Sequence, residues 1–174
     1  PFVPHNAIEK CIKATGIPYT FLRASFFMQN LSTFYKGFIQ HDDDIYIPAG
    51  KGKTSFIDVR DIADISAISF LDHIHQNKGY TLTGSEALDY YQVAEIFSSI
   101  LGRTIRYSNP SMREYKQRML LLGEDKPFVN VMANLYTMVK FGLGATLTTE
   151  ARSILQRPPT TMVKYVEDYK ECWS

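Results

Sequence analysis

Residues 5–31, HNAIEKCIKATGIPYTFLRASFFMQNL, decide how the rest of the 174-residue chain reads. Ile8, Cys11, Ile12 and Thr15 recur at helical spacing, which predicts a helix from Pro4 to Thr15. Gly16 follows as its stop, because glycine enters the left-handed conformation that closes a helix without side-chain strain. Ile17-Pro18 then leads into Tyr19–Arg23, branched and aromatic, a short strand. Ser25 to Gln40 is apolar and aromatic and reads as a loop running into a helix. A helix, a strand and an aromatic loop after the strand are parts of an α/β unit.

The same alternation continues outward. Asp44–Pro48 and Lys53–Ile57 read as short strands around a turn at residues 49–52. Asp58 caps a helix that buries Ile62, Ile65 and Ser69 or Phe70. Tyr80–Thr83 is a strand, followed by a turn at residues 84–86. Asp89 and Gln92 form a capping box before Val93, Ile96, Phe97, Ile100 and Leu101, with Gly102 as the stop. Thr104–Tyr107 is a strand. Ser111 and Glu114 form a second box before Met112, Tyr115, Met119 and Leu122. Phe128–Phe141 is a long apolar helix, Thr148 or Thr149 opens a shorter one, and Pro158-Pro159 breaks it. Thr160 or Thr161 opens the last helix, with Met162, Val163, Val166 and Tyr169 inward and Trp173 at its end. Each stripe of large side chains is read as core. The pattern predicts an α/β protein with a helix-rich tail.

Composition narrows the function. The net charge is +1, with 45% apolar and 21% charged residues, so no strong field draws the chain to nucleic acid or a membrane surface. No apolar stretch is long enough to span a bilayer, and no leader is visible, which makes the cytoplasm the default location. Asp42-Asp43-Asp44 reads as a solvated loop. Cys11 and Cys172 lack metal spacing and read as free thiols of a reducing compartment. The chain begins Pro-Phe-Val-Pro rather than with Met, which leads to the expectation that an N-terminal part is missing.

Motifs for chemistry are sparse. No GxGxxG and no GxxxxGK[ST] occurs, and Gly142-Leu143-Gly144 reads as a helix terminator. Tyr136 and Lys140 have the spacing of a Tyr-x-x-x-Lys pair but sit on an apolar helix late in the chain, where the shared face is chance. His73 and His75 flank Ile74 at a helix end, where cationic side chains suit the dipole, and no Cys or carboxylate cluster joins them. Glu9, Asp58 and Asp61 have helix-cap or helix-surface explanations.

Residues 5–31 resemble the middle of NmrA-like proteins, an atypical branch of the short-chain dehydrogenase/reductase superfamily: a His-x-x-x-Glu helix, a Gly-hydrophobic-Pro turn, a Tyr-Thr-hydrophobic-Leu-Arg strand, and an aromatic loop ending in Asn. SFIDVRDIA at 55–63 and YTLTGSEA at 80–87, followed by VAEI at 93–96 and LGR at 101–103, are similar to later blocks of the family. The resemblance implies a Rossmann-like fold, represented by the later strands of its parallel sheet plus a smaller helix-rich C-terminal subdomain. The whole chain is then a single partial domain: 1–79 the remaining Rossmann-like part, 80–174 the substrate-side subdomain interleaved with it. The family binds NAD(P), and the intact protein is expected to be an NAD(P)H-dependent reductase of small planar acceptors such as quinones, or else a non-catalytic NAD(P)-sensing regulator or interaction module. The family's glycine-rich loop precedes every residue here, so the 174-residue stretch alone is expected to bind no dinucleotide. By the resemblance His5 faces the nicotinamide ribose, and Phe26, Phe27, Met28, Gln29 and Asn30 lie on the loop that closes over the nicotinamide. The expected partners are a small-molecule acceptor or a regulatory protein. A second copy of the chain is a further candidate, because a half-sheet leaves an edge unpaired. No catalytic residue and no metal ligand is assigned.

Overall fold

A computed structural model describes residues 4–174. Helix α1 spans Pro4–Ala14, and β1, Thr20–Ala24, follows it. A 3-10 turn at Met28–Leu31 and α2, Lys36–His41, carry the chain to β2, Asp44–Ile45. Helix α3 spans Val59–Leu71 and β3 Lys78–Leu82. Then come α4 (Tyr90–Leu101), β4 (Arg106–Tyr107), α5 (Met112–Leu121), α6 (Lys126–Lys140), α7 (Glu150–Leu155) and α8 (Met162–Tyr169).

β1 and β3 pair in parallel, Thr20 opposite Lys78 and Ala24 opposite Leu82, with α3 in the crossover. Parallel neighbours need such a long connection, because a tight turn cannot reverse the chain and bring it back in the same direction. A second parallel pair joins β2 to β4, Asp44 opposite Arg106. One face of β1–β3 is covered by α3 and α7 through Ile57, Ile65, Leu82 and Ala151. The larger core gathers α2, α4, α5, α6 and α8 around Tyr35, Ile39, Phe97, Tyr136 and Trp173. The outer edge of β3 is closed by side chains: the Thr81 amide donates to Glu150 and the Thr81 carbonyl accepts from the Thr148 hydroxyl.

Local rules set the helix ends. Both capping boxes form, Asp89 with Gln92 and Ser111 with Glu114. Asp58 caps α3, Thr161 caps α8, and Gly102 ends α4 at φ +67°.

Several sequence expectations are corrected. Lys53–Ile57 is no regular strand; it makes two single bridges, Thr54 with Leu88 and Ile57 with Phe27, because its partners are themselves irregular. Phe70 is 89% exposed, since the end of α3 runs past the strands that α3 covers. The α1 stripe is not core. Ile8 and Cys11 are exposed, and a depression lined by Ile8, Ile12, Phe21 and Leu22 separates α1 from β1. Leu122 and Val163 are likewise exposed. The acidic run is no free loop: Asp44 is buried and accepts from the Ser108 amide, Asp42 pairs with Arg118 and Asp43 with Arg103. Asp61 is fully buried rather than on a helix surface, held by Arg157 and the Thr160 amide. Cys11 and Cys172 are both free.

The core is rich in phenols. The Tyr35 hydroxyl lies 2.6 Å from that of Tyr136 and 3.1 Å from that of Tyr115. Burial pushes Tyr35, Tyr90, Tyr107, Tyr115, Tyr136 and Tyr165 above the ordinary phenol value, because a phenolate would lose its hydration there. In the unfolded chain these groups ionise near pH ~10. Between that value and their folded ones the native state binds more protons, so their stabilisation is whole below about pH 10 and is lost as pH rises further. A spectrophotometric titration is expected to show these six phenols silent until the chain unfolds in alkali. Smooth ionisation of every tyrosine around pH ~10 in a folded protein would contradict this.

Candidate ligand-binding cleft

β1 and β3 both run toward one end of the molecule, and the chain leaves that end as Ser25-Phe26-Phe27 and as Thr83-Gly84. A cleft of about 490 Å³ opens there. Ligands of α/β proteins settle beyond the carboxyl ends of parallel strands, because the loops at that end diverge and leave a crevice. Gly84 keeps the neighbouring loops close: a Cβ at this position would lie 2.0 Å from the Phe56 carbonyl oxygen.

The walls are apolar. Phe26 and Phe27 face Met132 and Leu135 of α6 and Leu143 of the segment after it. The floor is polar and uncharged, with Ser25, Ser55, Thr81 and Thr83. Ser25 Oγ lies 2.9 Å from Ser55 Oγ, and Ser55 Oγ donates to the Gly144 carbonyl at 3.2 Å. The Thr83 hydroxyl is engaged with Thr148. Arg23 reaches the rim, but its guanidinium makes a two-pronged bond to Glu9, 2.7 Å on each arm. The Arg23 hydrogen bonds hold the Glu9 carboxyl below its ordinary value, so the rim carries a matched pair rather than a lone charge. The cleft therefore suits an apolar, uncharged molecule with a few hydrogen-bonding atoms.

The residues singled out from sequence separate into groups. Phe26, Phe27 and Asn30 line the cleft. The Asn30 side-chain amide makes no hydrogen bond among the described residues, so its donor and acceptor both remain available. Met28 does not line it; its side chain is 1% exposed and belongs to the main core. Gln29 is committed to α3: its Nε2 donates to Asp58 Oδ1 at 2.8 Å and its Oε1 accepts from the Val59 amide at 3.0 Å. His5 lines the depression between α1 and β1, which shares Arg23, Ala24 and Phe27 with the cleft. Sequence reasoning missed Ser25 and Ser55, since two serines thirty residues apart carry no pattern. It read Met132 and Leu135 only as part of the long apolar helix 128–141, because an apolar helix looks alike whether a stripe faces core or cleft.

The other candidates resolve to packing. His75 Nδ1 pairs with the Tyr80 hydroxyl at 2.8 Å, and no metal-holding group occurs among the described residues. Tyr136 is buried, and its hydroxyl is engaged with Tyr35 rather than with Lys140. No helix among the described residues is long and apolar enough to cross a membrane.

A model of the NmrA-like family matches residues 2–166. The chain is 31% identical over 159 residues to an NAD(P)H azoreductase of Xenophilus azovorans, covering 91% of this chain and 55% of that protein. It is 33% identical over 161 residues to an agroclavine dehydrogenase of Claviceps fusiformis, covering 91% and 56%. Among solved structures, an NADPH-dependent quinone oxidoreductase of Escherichia coli complexed with NADPH superposes with a TM-score of 0.86 at 22% identity, over 95% of this chain and 58% of that one. The triphenylmethane reductase of a Citrobacter species complexed with NADP(H) gives 0.83 at 23%, over 96% and 60%. Both superpositions are likenesses of fold. The chain spans about half the length of the curated relatives it matches.

Proposed function

The chain belongs to the NmrA-like family, and on that premise we propose that it forms the acceptor side of an NAD(P)H-dependent reductase of small planar molecules such as quinones. One observation carries the reading: an apolar-walled cleft beyond the carboxyl ends of β1 and β3, lined by Phe26, Phe27, Met132, Leu135 and Leu143, whose rim arginine, Arg23, is neutralised by Glu9. Aromatic and thioether faces bind flat rings through area and dispersion, without needing a charge on the ligand. The rival reading, a sensor without turnover, draws no support from relatives named as an azoreductase and a dehydrogenase.

The residues present fit the ring end of the dinucleotide. Asn30 has an unengaged amide beside Phe26 and Phe27, a donor and an acceptor suited to a carboxamide. Among the described residues no GxGxxG turn joins a strand to a helix. When bound, the reduced nicotinamide supplies hydride. The chain's own task is to hold the acceptor flat between the Phe26–Phe27 loop and α6 and to exclude water from the space between. His5, exposed at the start of α1, stands nearer the depression beside β1, and a ribose contact there is part of the proposal.

Phe27 is 41% exposed at the cleft rim, so it can be changed without opening the core. Phe27→Ala is expected to raise KM for 1,4-naphthoquinone about 10-fold with kcat nearly unchanged, the signature of lost uniform binding worth about 1.4 kcal/mol. Steady-state NADPH oxidation by the whole reductase, its dinucleotide-binding part included, checks this, with circular dichroism as the control for folding. Absence of any quinone-dependent or dye-dependent NADPH oxidation, or an unmoved KM, would overturn the reading.

A further inference from the structure

We infer that the Ser25–Ser55 hydroxyl pair on the cleft floor is the polar contact for the acceptor's reducible heteroatom, with Ser25 touching the ligand and Ser55 as its positioning residue. The inference rests on the cleft being the acceptor site.

The geometry begins with backbone that is already satisfied. The Ser25 amide donates to the Leu82 carbonyl at 2.9 Å and the Ser55 amide to the Gly144 carbonyl at 2.8 Å, which fixes both serines at the floor. Their hydroxyls are then free to serve each other at 2.9 Å. Ser55 is 2% exposed, so its hydroxyl must find partners within the protein. Ser25 is only half-buried and lines the cleft. Of the other polar side chains in the cleft, Arg23 is taken by Glu9 and Thr83 by Thr148, and the Asn30 amide is the group suited to the nicotinamide carboxamide.

A hydroxyl has one donor and two acceptor sites, so the pair has two proton arrangements. In the first, Ser55 donates to the Gly144 carbonyl, Ser25 donates to Ser55, and Ser25 shows the cleft an oxygen lone pair. In the second, Ser55 turns its hydrogen to Ser25, and Ser25 points its own into the cleft. Exchanging them forfeits only the 3.2 Å bond from Ser55 Oγ to Gly144, whose carbonyl keeps the Ser55 amide in both. No heavy atom moves. The second arrangement donates to a carbonyl or imine-type acceptor. The first accepts from a hydroxyl or amine, which is what such a group becomes on reduction. The ligand class is therefore a neutral aromatic whose heteroatom is an acceptor when oxidised and a donor when reduced. The pair grips both forms without rebuilding the site.

Three probes of one shape separate the terms: 1,4-naphthoquinone, which only accepts; 2-naphthol, whose phenolic hydroxyl is a strong donor and a poor acceptor; and naphthalene, which does neither. Their affinities are measured by equilibrium dialysis for the protein and its Ser25→Ala and Ser55→Ala variants. Ser25→Ala is expected to weaken the quinone and the naphthol about 3- to 10-fold, the worth of one neutral hydrogen bond, and to leave naphthalene unchanged. Ser55→Ala is expected to weaken the naphthol more than the quinone, because Ser25 accepting from a ligand then has nowhere to send its own hydrogen. If all three probes shift together, or none does, the pair is structural and the inference fails while the cleft reading stands. If the unaltered protein binds none of the three, the cleft reading itself fails and the inference falls with it.

Discussion

Trp173→Ala is expected to cost the fold about 3–5 kcal/mol, the range for deleting a large aromatic side chain from a packed interior. The indole is completely buried. It meets Phe97 edge-on at 4.7 Å and Tyr165 at 6.0 Å, so removal leaves a cavity that two further rings cannot close by rotating. Its Nε1 donates to the Leu31 carbonyl at 3.1 Å, and its own carbonyl accepts from Arg103. One side chain thus ties the 3-10 turn behind the aromatic loop to α4 and α8. Trp173→Phe keeps most of the contact area but orphans the Leu31 carbonyl, and about half the loss is expected. Urea midpoints of the three proteins check the order. An unshifted midpoint for the alanine variant would show that the residues after α8 do not contribute to the main core.

Asp58→Ala ranks second, at about 2–3 kcal/mol, above an ordinary cap because the carboxylate serves several donors at once. It is fully buried, accepts from the Arg60 amide and guanidinium, and receives Gln29 Nε2. Arg60 is 41% exposed and also bonds Asp168, so it can rehydrate when Asp58 is lost, which keeps the figure below that for a fully buried pair. Burial pushes the Asp58 carboxyl up, but the hydrogen bonds from Arg60 and Gln29 outweigh it and hold the group below the usual 3.8. A depressed value means that the unfolded chain takes up protons first as pH falls. The stabilisation is therefore whole above about pH 4 and lost as pH drops through the folded value. Chemical denaturation from pH 7 down to 2 is expected to show a shallower acid loss in Asp58→Ala than in the parent. Parallel profiles would mean that the carboxylate is not what links Gln29 to α3.

What could be read from sequence was what is decided within a few residues. The Asp89–Gln92 and Ser111–Glu114 boxes join residues three apart and close as expected, Asp58 caps where it was placed, and of Thr160 and Thr161 it is Thr161 that caps α8. The family resemblance supplied the fold and drew attention to Phe26, Phe27 and Asn30. It could not say which neighbours on an irregular loop point inward. Phe27 faces the cleft and Met28 the core, because a single bridge from Phe27 to Ile57 sets the twist there, and no periodicity marks it. Gln29 was unreadable for a similar reason, since its partner Asp58 belongs to another element. Exposed ends such as Phe70 and Leu122 obey the helical period yet lie beyond what the helix covers.

The parallel register of β1 and β3 also carries a consequence in time. Thr20 can meet Lys78 only after everything between them, α3 included, has been made and brought round. Closing so long a loop is entropically uphill until the non-local contacts form, which makes such pairings late events. Ser25 follows directly on β1 and is anchored to Leu82 at the end of β3, so the cleft floor is completed only once that register is set. Until then Phe26 and Phe27 stand uncovered. The surface that later grips a flat ligand is, early in the life of each molecule, a sticky one, and molecules that reach the paired state sooner are less open to self-association.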